Sequence, residues 1–331
     1  MESVGKSNRE IVVVVVAMFL SVCLVCYSDG SVIVSKDGNG DYKSVSEAIK
    51  NAPKLSQSVY TIHVRAGTYE EYVVIHHDKT NIKLVGDGPR HTKLVAYQGS
   101  TIDIHGEGFM AESIAFVNSA GLKASGAVAV RNEANNTVFY RCSIDGYQDT
   151  LWAVSGRQFY KNCDIYGTVD FIYGAAAAVF QDCMLYARYR DHVTFTAQSR
   201  DDPNDNNSAF TFQRCNFTMS PEDSISHAKS EMHATLGRPW RPYSTVAILQ
   251  CFIDSIVGPA GWEEMPGQPT DRVTYVEYGN VGPGAGTDGR VKWPGVRVLH
   301  RPAEAQRFTA SNLLDADSWI PSTGVPYDNG F

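Results

Sequence analysis

Positive charge is in short supply: 29 lysines and arginines stand against 36 aspartates and glutamates, a formal net charge of −7. A surface built on bulk basicity is excluded, and with it nucleic acid as a partner. An acidic polymer would have to be gripped locally, by a few positioned basic and aromatic side chains. No Gly-x-Ser-x-Gly occurs, so a serine-nucleophile esterase has no support. The nine histidines show no metal-ligand spacing, which predicts no metal site; adjacent His76 and His77 read as a surface pair. Helical periodicity is scarce through the middle of the chain. No linker divides the 331 residues, 43% of them apolar, so one domain with a sizeable core is expected.

A long apolar run occurs at the N-terminus. Lys6 and Arg9 precede it at residues 11–27 and small polar residues follow at 28–31, which predicts a signal peptide over 1–28, cleaved near Ser28. A signal anchor is the rival reading, because seventeen mostly apolar residues fall at the lower limit for a bilayer span. Cys23 and Cys26 belong to this segment. The other five cysteines would enter an oxidising compartment, where pairing is expected and at least one is left over. Sequons at Asn135, Asn206 and Asn216 agree with secretion.

What is present is a repeat: "VFYRCSI" at 138, "QFYKNCDI" at 158, "VFQDCML" at 179 and "TFQRCNF" at 211. Cys142, Cys163, Cys183 and Cys215 are spaced 21, 20 and 32 apart, and the longest interval holds the polar "RDDPNDNNS", read as an inserted loop. Short β-branched and aromatic runs at a period near 20 residues are what a solenoid of strands produces. The fold expected is all-β, a right-handed parallel β-helix over residues 32–292. A β-sandwich repeats its strands every 8–12 residues and would not keep one phrase in register. A solenoid needs lids. "KSVSEAIKNAP" predicts a helix with Ser44 and Glu47 in capping-box spacing, and "AEAQRF" and "NLLDADSW" predict short helices near the other end. Cys163–Cys183 is the preferred bridge between neighbouring coils and Cys183–Cys215 the second, with stacked free thiols as the alternative.

Asp149 and Asp170 repeat the step between Cys142 and Cys163, which puts them at equivalent places on successive coils, one strand spacing apart. Carboxylates that close repel, so one ionises and the other tends to keep its proton, giving a nucleophile or base beside a general acid. Arg238, in "LGRPW", is the candidate for holding one of them charged.

In order along the chain, "GTYEE", "GYQDTLW", "GTVDFIYG", "LGRPW", "PAGW", "GPGAGT" and "STGVP" resemble the motifs of plant pectin methylesterases, over residues 32–331. The resemblance implies a pectinesterase β-helix catalytic domain over 29–331, in a form without the inhibitor-like pro-region of many relatives. It implies ester hydrolysis through an acyl-enzyme, without metal or cofactor, on homogalacturonan in the plant cell wall. Asp170 would be the nucleophile, Asp149 the proton donor and acceptor, Gln148 the oxyanion's hydrogen-bond donor, and Arg238 would orient Asp170. Trp240 would pack on a galacturonate ring, with Arg238, Tyr173 and Trp262 also against substrate. The protein would be secreted and monomeric, with inhibitor proteins as plausible partners.

Some readings stay open. Trp262 reads equally as packing, Gln148 as a rung of an amide ladder, and Glu70 and Glu71 as solvent-exposed structural residues. Where the family usually carries Gln-Ala-Val-Ala-Leu this chain has Gly126-Ala127-Val128-Ala129-Val130, so a second oxyanion amide is missing. Loss of one such donor costs about 2.7–4 kcal/mol in other hydrolases, which predicts a slow enzyme. The stretch "VAYQGSTIDIHGEGF" is shorter than usual, which puts subsite preference in doubt, and Tyr173 stands where phenylalanine is more common. A β-helical depolymerase of the same polymer and a non-catalytic wall-binding protein are the competing functions.

Overall fold

Each copy of the repeated phrase turns one corner of a coil. The computed structural model describes residues 31–124 and 126–331, and the segment read as a signal peptide lies outside the described residues. A parallel sheet of eleven strands runs the length of the body and two more, of eight and six strands, complete the coils at its middle, each filled in chain order. This is the expected right-handed parallel β-helix. It runs from Ser31–Val34 to Val296–Leu299, slightly past the end anticipated. In the eleven-stranded sheet Val138 pairs with Phe159, Phe159 with Val179 and Val179 with Thr211, the same steps that separate the cysteines. The coil before, from Met110 to Val138, is longer than the one that follows it. Strand pairing fixes the rise, and surplus residues go into loops. Among the described residues no helix is long and apolar enough to cross a membrane.

The corner has a local cause. Arg141, Asn162, Asp182, Arg214 and Gln250 sit at φ of 52–54°, each immediately before a cysteine. A left-handed residue other than glycine costs about 1–2 kcal/mol. Here it bends the chain from the eleven-stranded into the eight-stranded sheet and turns the next side chain inward. Cys142, Cys163, Cys183, Cys215 and Cys251 are all buried and all free. The expected Cys163–Cys183 bridge is therefore absent, as is the alternative Cys183–Cys215. In-register parallel strands hold equivalent Cβ atoms about 4.8 Å apart, beyond the mean of about 3.8 Å across a disulfide. The thiols bond to carbonyls instead, as in Cys163 Sγ to Phe139 O and Lys161 O, both 3.4 Å. Beside them Phe139, Tyr160, Phe180 and Phe212 stack with centroids 5.0, 4.5 and 4.7 Å apart. Each such pair adds about 0.5–1.5 kcal/mol beyond its burial.

The predicted N-terminal helix forms at Val45–Asn51, with Ser44 Oγ accepting from the Glu47 N–H at 3.1 Å and Val45, Ala48 and Ile49 buried. Its other cap comes from elsewhere in the chain: the Glu71 carboxylate accepts from the Val45 and Ser46 N–H groups, each at 2.9 Å. Glu71, expected to be a solvent-exposed structural residue, is thus a half-buried helix cap.

The C-terminal helices form, but they lie along a side of the solenoid rather than over its far end. Leu313, Leu314, Trp319 and Ile320 cover Met110, Val138, Phe159 and Val179 on the outer face of the eleven-stranded sheet. That face is apolar in successive coils, and a patch of this kind must be covered.

Alkylation in denaturant without reductant should therefore label all five of these cysteines, read by intact mass, and native protein should label far more slowly. A count of three would restore a bridge.

Candidate active site

Two strand pairs bracket the two acids. Ser143–Asp145 pairs with Asp164–Gly167 before them and Leu151–Ala153 with Ile172–Gly174 after them, both with the same offset as the acids themselves. Asp149 and Asp170 occupy the corner between, at φ of 62° and 53°. Asp and Asn tolerate this region best among residues with a Cβ, and strain of this kind gathers at functional sites. The Asp149 N–H donates to the Val169 carbonyl at 3.2 Å and the Thr168 N–H to the Tyr147 carbonyl at 2.8 Å. The acids are therefore stacked on adjacent coils, as their spacing predicts.

Arg238 grips one of the pair. Its Nε donates to Asp170 Oδ1 and its Nη2 to Oδ2, both at 2.8 Å, a bidentate fork. The segment that carries it runs along the edge strand Thr196–Gln198, with the Arg238 N–H on the Thr196 carbonyl and the Trp240 N–H on the Gln198 carbonyl, each at 3.0 Å. Gly237 permits this approach: a Cβ there would lie 2.0 Å from Thr196 Oγ1. Close contact, not a tight turn, is what demands the glycine.

Aromatic rings continue from the acids across the six-stranded sheet. Trp152 and Tyr173 are in-register partners stacked at 5.4 Å, and Tyr173 meets Trp240 at 5.4 Å. The Arg131 guanidinium lies 5.0 Å over Trp152. Trp240 is the exposed ring of the set, at 36%, while Tyr173 is mostly covered by its neighbours. Trp262 does not belong to this surface. It is 1% exposed and stacked on Tyr275 at 4.2 Å, so its role is packing. Gln148 is half-buried beside Asp149. The offset between the two coils places it over Val169, so it is no rung of an amide ladder; that motif lies on the eleven-stranded sheet, where Gln181 Nε2 donates to Gln213 Oε1 at 2.9 Å. A Cβ at Gly126 would stand 3.6 Å from Asp149 Oδ2, so position 126 faces the acids.

The family model described as Pectinesterase matches residues 31–317. The chain belongs to the pectinesterase family. It is 39% identical to Pectinesterase 2 of Citrus sinensis, across 91% of this chain and 60% of that protein. The chain thus spans about three fifths of the length of the curated relatives it matches. A pectin methylesterase from carrot has the same fold, with TM-score 0.88 and 40% identity over 91% of this chain and 98% of that one. A pectin methylesterase solved in complex with a hexasaccharide matches at TM-score 0.71 and 27% identity, over 85% of this chain and 96% of that one.

Within this pectinesterase framework, sequence reasoning missed Glu263, directly after the "PAGW" motif. It accepts from Thr194 Oγ1 at 2.7 Å, pairs with His192 Nε2 at 2.7 Å, and lies 3.6 Å from Arg238 Nη1. Arg238 therefore stands between two carboxylates. Trp152 was also missed, although it closes the quoted "GYQDTLW"; alternation from Leu151 would have put its ring outward.

The two acids titrate differently. Burial first, and then the charge of Asp170, push the Asp149 carboxyl up to about 6, with Arg238 opposing. Burial raises Asp170 as well, against the hydrogen bonds and charge of Arg238. For Asp149 the folded value exceeds the ordinary 3.8, so folding favours the neutral acid. The group costs no stability below the unfolded value; the penalty grows as pH rises toward about 6 and is constant above. Asp149→Asn accordingly raises the melting temperature at pH 7.5 and changes it little at pH 3.5, as calorimetry would show. An equal shift at both values would remove the titration.

Proposed function

We propose that this chain is a pectin methylesterase, secreted to the cell wall after loss of residues 1–28, with residues 29–331 as its catalytic domain. It hydrolyses methyl esters of homogalacturonan to methanol and de-esterified pectin. The observation that carries the reading is the Arg238 fork on Asp170 directly below a second acid whose carboxyl is pushed up to about 6. One member of the pair is held as an oriented carboxylate, the other retains a proton in mildly acidic solution, and these are the two states an acyl transfer needs.

In this mechanism Asp170 attacks the ester carbonyl while the Gln148 amide donates to the developing oxyanion. Asp149 protonates departing methanol, then takes a proton from the water that opens the acyl-enzyme. Trp240 and Tyr173 present aromatic surface to the sugar rings, and Arg238 places its charge beside the uronate being processed. Every step uses side chains of this chain alone, with no metal or cofactor. Homogalacturonan is the partner, a proteinaceous inhibitor a second, and the protein acts as a monomer. Position 126 supplies no second amide.

Methanol release from methylated pectin by the purified protein tests the reading. Asp170→Asn should lower it by roughly a thousandfold or more, while chelator should leave it unchanged and the polymer should keep its length. Equal release by the two proteins removes the mechanism; chain shortening favours the depolymerase, and pectin binding without methanol favours the non-catalytic protein. Gly126→Gln should raise methanol release. With φ of +72° at that position, the gain comes with a stability loss of about 1–2 kcal/mol. No gain would mean the missing amide does not limit the rate.

A further inference from the structure

Three turns of the six-stranded sheet bring together side chains from three successive coils. His77, His105 and Glu133 follow the strands Val73–Ile75, Ile102–Ile104 and Val130–Asn132, which pair in register. The turn backbone is tied down: the His105 N–H donates to the Ile75 carbonyl at 2.8 Å and the Glu133 N–H to the Ile104 carbonyl at 3.0 Å. The candidate ligand atoms of the three residues all lie within 4.8 Å of one another. His105 Nδ1 hydrogen-bonds Glu133 Oε1, and His77 Nε2 stands 3.9 Å from the same oxygen. Arg131 holds the other carboxylate oxygen, Oε2, so Oε1 stays directed at both imidazoles.

We propose that His77, His105 and Glu133 bind a divalent transition-metal ion of the zinc type. Two imidazole nitrogens and one carboxylate oxygen make a donor set that suits zinc, with a fourth position left to water. Calcium and magnesium favour oxygen ligands throughout. Metal–ligand bonds of about 2.0–2.2 Å require only small movements here. The ion takes the place of the His105–Glu133 hydrogen bond and draws in His77, whose side chain is 81% exposed and whose ring already lies 5.1 Å from that of His105. Arg131 is the outer support that orients Glu133. It also repels the ion, which keeps the site weaker than a closed structural one. The two imidazoles escape a sequence search for metal motifs because a separation of one whole coil becomes a contact only after the chain has wound. The site is separate from the acid pair, and its occupancy does not depend on ester hydrolysis.

Zinc chloride titrated into the purified protein by calorimetry at pH 7.5 is the test. Saturable uptake of one ion per chain is expected, with His77→Ala and His105→Ala each weakening it by about tenfold or more and His76→Ala leaving it unchanged. His77 is mostly exposed, so its replacement reports on the ion even if the His105 variant folds poorly. Absence of saturable uptake overturns the proposal, and so does uptake that survives His77→Ala unaltered or that falls equally in His76→Ala.

Discussion

Backbone hydrogen bonding between parallel coils, kept in register along the solenoid, sets the distances that matter in this molecule. A rise of about 4.8 Å per coil places like upon like, and the result depends on chemistry. Aromatic rings at Phe139, Tyr160, Phe180 and Phe212 gain from it. Thiols accept it without bonding to each other. Acids oppose it, and Asp149 over Asp170 persists because the surrounding strands pair on both sides and leave the corner no alternative. Burial first, with the charge of Asp170 added to it, raises the Asp149 carboxyl, while Arg238 works against the rise at Asp170.

Arg238 lies between Asp170 and Glu263, so three half-buried charges share one place. Asp170 takes the bidentate contact, while Glu263 is further occupied by Thr194 and His192. The arginine is thereby fixed from two directions, and its planar fork suits such fixing better than a lysine would. Rigid support of a positioned group is the usual requirement for electrostatic assistance in a site that excludes water.

Features that depend on one coil period were legible in the sequence. The solenoid, the cysteine row and the vertical acid pair all follow from the step between Cys142 and Cys163, and the Ser44 cap follows from local chemistry. Features that depend on what a side chain meets across the groove or along the surface were not. Trp262 and Trp240 sit in similar motifs, yet one stacks on Tyr275 in the core and the other is exposed beside Tyr173. Glu71 and Glu263 each bond to groups well removed along the chain. The disulfide expectation failed on a finer point: the Cα spacing of adjacent coils suits a bridge, but parallel Cβ vectors do not converge.

The C-terminal cover gives the chain an order of events. Central coils from Met110 to Ala209 present an apolar outer face that the segment from Ala310 onward conceals. A ribosome makes that cover after the coils it conceals. The solenoid can stack coil by coil as it emerges, but its apolar flank stays open to water until the covering segment follows. Stacking of the central coils and concealment of their apolar flank are therefore separate events, the second waiting on residues made about a hundred positions later.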